Sequence, residues 1–113
     1  MPYAPGSPFS PGGQHPNDPS HGTTHLWEQW NSLDWATYRD IAPRFVAEFG
    51  WQGPPTWSTL TTAISDDPLT PESPGMLAHQ KAVDGNAKLV GGLVRHHRVP
   101  DDMATWHWAM QLN

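Results

Sequence analysis

Glu48 is the residue in this sequence best placed to do chemistry. It lies near the end of the apolar run Phe45-Val-Ala-Glu-Phe49, two residues before Gly50 and the rigid turn Trp51-Gln-Gly-Pro-Pro55, with Trp57 following. In barrels built from parallel strands, catalytic side chains occupy the carboxyl end of the strand. The same position has a plainer reading. Arg44 lies on the same strand face, and ion pairs also place acids at strand ends. Spacing alone leaves both readings open.

The seven tryptophans are the second feature. Sugar rings stack on aromatic faces, so Trp27, Trp30 and Trp51, placed in loops, would suit a saccharide platform. Trp35, Trp57 and Trp106 fall at helical spacing and are expected in the core, because aromatic side chains bury large areas. Two histidine pairs, His21/His25 and His96/His97, have no third ligand at a recognisable spacing. A metal site needs three or four ligands with outer partners, so no metal is expected. Tyr3, Phe9, His15, Asn17 and Asp18 are residue types that line sugar sites, in a stretch that reads equally as a loose terminus.

These residues sit in a chain of 113 with a net charge of −5, 10 Gly, 13 Pro and no Cys. Few charges and many tryptophans argue against disorder, and the breakers argue against long elements. No Cys means no disulfide framework and no thiolate zinc site. Six Lys and Arg against eleven acids form no basic stripe, so nucleic acid is not expected as a partner. No apolar run approaches the ~20 residues of a membrane span, and the first residues form no signal peptide. A soluble, cytoplasmic protein with no membrane partner is the expectation.

Residues 1–23 are rich in Pro and Gly and read as an irregular loop. Helical spacing predicts a short helix over 24–33, then one over Trp35–Ile41 capped by Asp34 and ended by Pro43. Alternation predicts a strand over 43–50, with Arg44, Val46 and Glu48 on one face. Helices follow over Trp57–Ile64 with Thr56 as cap, over Met76–Lys81, and after Asp84, where Leu89, Val90, Leu93 and Val94 share a side. Gly91-Gly92 inside that helix costs it about 2 kcal/mol relative to alanines, which asks for close packing against a neighbour. A last helix starts at Pro100-Asp101, with Met103, Trp106 and Met110 aligned. One strand has no partner for its backbone groups. The sequence therefore asks for strands in a larger protein, or for oligomerisation.

The stretch Arg44-Phe-Val-Ala-Glu-Phe-Gly-Trp-Gln-Gly-Pro-Pro-Thr-Trp57 resembles the nucleophile strand of β-mannosidases in glycoside hydrolase family 2. His15-Pro-Asn-Asp-Pro19 and His21-Gly-Thr-Thr-His-Leu-Trp-Glu-Gln-Trp-Asn31 resemble the loop before it. Ser65–Lys81 and Trp106-His-Trp-Ala-Met-Gln-Leu-Asn113 resemble the stretch after it, as in actinobacterial members. The resemblance implies an α/β fold: residues 1–113 as an incomplete (β/α)8 barrel, about strands six and seven with their helices, needing the remaining strands of a parent chain. It also implies a retaining exo-acting enzyme for β-mannosides without a cofactor, with Glu48 as nucleophile. Trp27, Trp51 and Gln52 are candidate substrate contacts by loop position and residue type. The family's acid/base glutamate follows an asparagine on an earlier strand, and this chain has no Asn-Glu pair. Two other readings stand beside it: a carbohydrate-binding module using the tryptophans, and a truncated reading frame without independent function.

Overall fold

The computed structural model describes residues 3–113, and the chain divides into two compact units after Gly50. In the first unit, the expected helix over 24–33 is replaced by a strand, β1 (Thr24–Leu26), and a single helical turn, α1 (Glu28–Asn31). The β-branched Thr23-Thr24 pair favours extended backbone, and partners hold it on both edges. Thr24 N–H donates to Phe45 O at 2.9 Å. The side chain of Asn17 takes the other edge: its Oδ1 accepts from His25 N–H at 2.7 Å and its Nδ2 donates to His25 O at 2.9 Å.

The second strand, β2 (Val46–Phe49), is shorter than alternation predicts and runs parallel to β1. The lone-strand expectation is corrected here, since β2 has a partner within its own chain. Its other edge has no strand partner among the described residues. The register is irregular. Thr24 faces Val46, but His25 faces Glu48 and Leu26 faces Phe49, so Ala47 is an extra residue on β2. Such a bulge re-aims the side chains beyond it. Without it, Glu48 would oppose Leu26.

The residues before β1 carry no helix, yet they are fastened. Phe9 and Thr23 form an antiparallel bridge with backbone bonds of 3.2 and 2.8 Å. Gly22 makes this approach possible, because its φ is +53° and a Cβ would lie 1.8 Å from Phe9 O. After α1, Asp34 caps a 3₁₀ helix over Trp35–Asp40 by accepting from Ala36 N–H at 2.9 Å, close to the predicted element. Tyr38 in that helix accepts from Gly50 N–H at 3.1 Å and packs edge-on against Phe49. The end of β2 is thereby tied down.

The second unit, Trp51–Asn113, contains α2 (Trp57–Ala63), α3 (Pro74–His79), α4 (Gly85–Leu93) and α5 (Met103–Leu112). Leu60, Ile64, Leu89, Leu93, Trp106 and Met110 form its buried core. Burying each such side chain contributes roughly 1.5–3 kcal/mol. Asp102 caps α5 through Thr105 N–H at 2.9 Å, and Asp66 receives Gly75 N–H at 2.7 Å where α3 begins. Thr56 and Asp84 make no side-chain cap, contrary to the prediction; Asp84 instead takes a left-handed backbone. Trp35 and Trp57, expected in the core, are 40% and 42% exposed, whereas Trp106 is buried as predicted. Val90 and Val94 are likewise exposed beside buried Leu89 and Leu93. The predicted close packing of the glycine pair holds for Gly92, which lies under the Trp51 ring, while Gly91 faces open space.

Candidate active site

Glu48 lies at the carboxyl end of β2, with its side chain about half exposed. Its partners come from β1 and from the residue after it. Trp27 Nε1–H donates to Glu48 Oε2 at 3.0 Å, and His25 Nδ1 lies 3.4 Å from the same oxygen. Arg44, the partner that strand spacing suggested, is exposed; its backbone N–H donates to Pro19 O. The bulge at Ala47 explains the exchange, since it sets Glu48 directly opposite His25.

The Trp27 donor and the His25 ring face the same oxygen. A carboxylate is acceptor-only, so Oε2 is held by the Trp27 N–H. Phe49, the next residue, is 64% exposed and turns to Tyr38. Trp51 and Trp57 belong to the second unit.

Trp27 therefore stands beside Glu48. Trp30, grouped with it as a sugar platform, is buried. Trp51 packs over Gly92, and Gln52 lines a cavity of about 260 Å³ with Pro54, Leu60, Met76 and Trp106, both inside the second unit. Asn17 and Asp18 have local tasks. Asn17 holds the His25 backbone, and Asp18 accepts from Ser20 N–H at 2.7 Å, which holds its carboxyl below the usual range. His21 turns to Asp18, 3.4 Å away, so the His21/His25 pair faces two different acids. Among the described residues, no group of three or more His, Asp or Glu is placed to hold a metal. No helix among them is long and apolar enough to cross a membrane.

His25 is the site residue that sequence reasoning missed. The usable signal was its place in Thr23-Thr24-His25, a strand start, but the pairing that brings it to Glu48 depends on the bulge.

Comparison with known proteins finds β-mannosidase B of Thermothelomyces thermophilus 31% identical over 98% of this chain, and the β-mannosidase of Capra hircus 30% identical over 77% of it. The crystal structure of a β-D-mannosidase from Dictyoglomus thermophilum superposes with a TM-score of 0.82 over 89% of this chain, at 31% identity. The chain is similar to a segment of β-mannosidases. It spans 14% and 10% of the lengths of those two relatives, and 13% of the solved one. No family model matches it. The small α/β segment thus has its counterpart inside a much larger glycosidase.

Proposed function

We propose that this chain is the nucleophile-bearing segment of a retaining exo-β-mannosidase of glycoside hydrolase family 2, with Glu48 as the nucleophile. The observation that carries the reading is a half-exposed strand-end carboxylate with one oxygen hydrogen-bonded by Trp27 and faced by His25. In the first step, Glu48 Oε1 bonds to the anomeric carbon as the bond to the departing sugar oxygen breaks. A second carboxyl must give that oxygen its proton, then take one from the water that hydrolyses the ester.

Retaining chemistry sets the two carboxyl groups ~5–5.5 Å apart. The other two glutamates are engaged elsewhere: Glu28 accepts from Ser32 Oγ at 3.0 Å, and Glu72 from Asn86 Nδ2 at 3.0 Å. On the resemblance to family 2 β-mannosidases, the acid/base is proposed to lie on an earlier strand of a parent (β/α)8 barrel, to which this segment would contribute about strands six and seven. Trp27 is proposed to meet the mannose beside Glu48. Trp51 and Gln52 are proposed as saccharide contacts on chain position alone.

In the longer enzyme, a 2-deoxy-2-fluoro-β-mannoside with a good leaving group should trap a mannosyl ester. Peptide mapping should place the adduct within Arg44–Trp57, and Glu48→Gln should abolish both adduct and turnover. An adduct on another carboxylate would end the reading.

A further inference from the structure

We propose that His25 is a positioning residue that acts through Glu48, with its tautomer set by Ser7; the proposal rests on the reading of Glu48 as nucleophile. Three contacts fix His25. Its backbone is held on both polar groups by the Asn17 side chain, at 2.7 and 2.9 Å. Its Nδ1 lies 3.4 Å from Glu48 Oε2, and its Nε2 lies 2.6 Å from Ser7 Oγ. The imidazole is only 14% exposed, whereas Glu48 is 49% exposed.

The chemistry of the partners orders the protons. A carboxylate offers no proton, so a neutral ring would carry its hydrogen on Nδ1, 3.4 Å from Oε2. Nε2 is then an acceptor, and the rotatable Ser7 hydroxyl donates to it. All donors in the line Ser7–His25–Glu48 run toward the carboxylate. These contacts hold Oε2, which makes Oε1 the oxygen presented to substrate.

This arrangement affects the two half-reactions differently. When Glu48 attacks, it loses negative charge, so a donor on Oε2 gives little net help beyond holding the group still. When the mannosyl ester is cleaved by water, Glu48 departs as a carboxylate and regains its charge. A donor already aimed at Oε2 strengthens in that second transition state, which is where a group of this kind accelerates a reaction. Losing a hydrogen bond to a charged group is worth about tenfold or somewhat more.

Two measurements test this. Long-range ¹H–¹⁵N spectra of the histidine-labelled chain should show the His25 proton on Nδ1, and Glu48→Ala should shift the ring toward the other tautomer. A proton resident on Nε2, indifferent to Glu48→Ala, would overturn the proposal whatever Glu48 does in catalysis. In the longer enzyme, His25→Gln should lower kcat about tenfold for an activated aryl β-mannoside, with KM falling in step and kcat/KM nearly kept. Ser7→Ala, at an exposed position, should give a smaller change of the same pattern and covers a His25 variant that does not fold. Equal losses in kcat and kcat/KM, or none in either variant, would refute the positioning role. If the wild-type enzyme forms its adduct elsewhere, it is the nucleophile assignment that fails.

Discussion

Replacing Gly91 and Gly92 by alanine, one at a time, separates helix propensity from packing at adjacent positions of α4. Each change removes the backbone penalty of glycine in a helix, worth ~0.8–1 kcal/mol in the interior. A Cβ at Gly91 meets nothing within 4 Å, so Gly91→Ala should stabilise by up to that amount. A Cβ at Gly92 would fall 2.2 Å from Trp51 Cη2 and 2.5 Å from Cζ3. Carbon atoms prefer ~3.5–4.0 Å, so ring or helix must give way by more than an ångström. Overpacking of this kind costs ~1–3 kcal/mol. The propensity gains cancel between the two variants, leaving Gly91→Ala the more stable by ~1–3 kcal/mol. With a urea slope near ~1.5 kcal/mol/M, a difference of ~2 kcal/mol separates the midpoints by ~1.3 M. Urea unfolding followed by tryptophan emission reads this directly. Placing both changes in a Trp51→Ala background should erase the difference. Equal midpoints for the two single variants would show that Trp51 is not seated on Gly92.

The carboxyls of Asp66 and Asp102 are held below their ordinary range, Asp66 chiefly by the Ser73 side chain and Asp102 by Thr105 N–H. Their contribution is therefore complete above the ordinary carboxylate range and is lost as pH falls below about 4, through the lowered folded-state values. Circular dichroism should show helicity declining over that window, and Asp102→Asn should flatten part of the decline; an unchanged acid limb would contradict the capping assignment. Gly22→Ala forces a side chain into the left-handed region, at ~1–2 kcal/mol, and into Phe9 O. Amide exchange at Phe9 and Thr23 should speed up in that variant, and unaltered protection would exclude the bridge.

Most helices were legible because their signals are local. Asp34 before Trp35 and the Leu89/Leu93 and Trp106/Met110 spacings all appear in the structure, whereas α3 starts at Pro74, two residues before the predicted Met76, and ends at His79. What failed depends on partners distant in sequence. Thr24–Leu26 reads as helix beside Trp27 and Trp30, yet Phe45 and the Asn17 side chain hold it extended. No spacing rule reveals that Ala47 is a bulge, and that residue decides whether Glu48 meets His25 or Leu26. Glu48 itself was found from its strand end and glycine turn, whereas His25 and Ser7 needed the fold. The exposure of Trp57 and Val94 was also hidden, since helical spacing gives direction but not how much lies on that side.

The Phe9–Thr23 bridge has a consequence for how the length of this chain can vary. Counted outward from an antiparallel pair, two residues before Phe9 and two after Thr23 are Ser7 and His25, the pair in contact at 2.6 Å. Insertions and deletions between Pro11 and Gln14, all exposed, leave that count intact and should be absorbed like those in any surface loop. One residue added or removed between Ser7 and Phe9, or between Thr23 and His25, shifts the count and separates the hydroxyl from the imidazole. The same irregular segment is thus free to change length inside its anchor and fixed in length outside it.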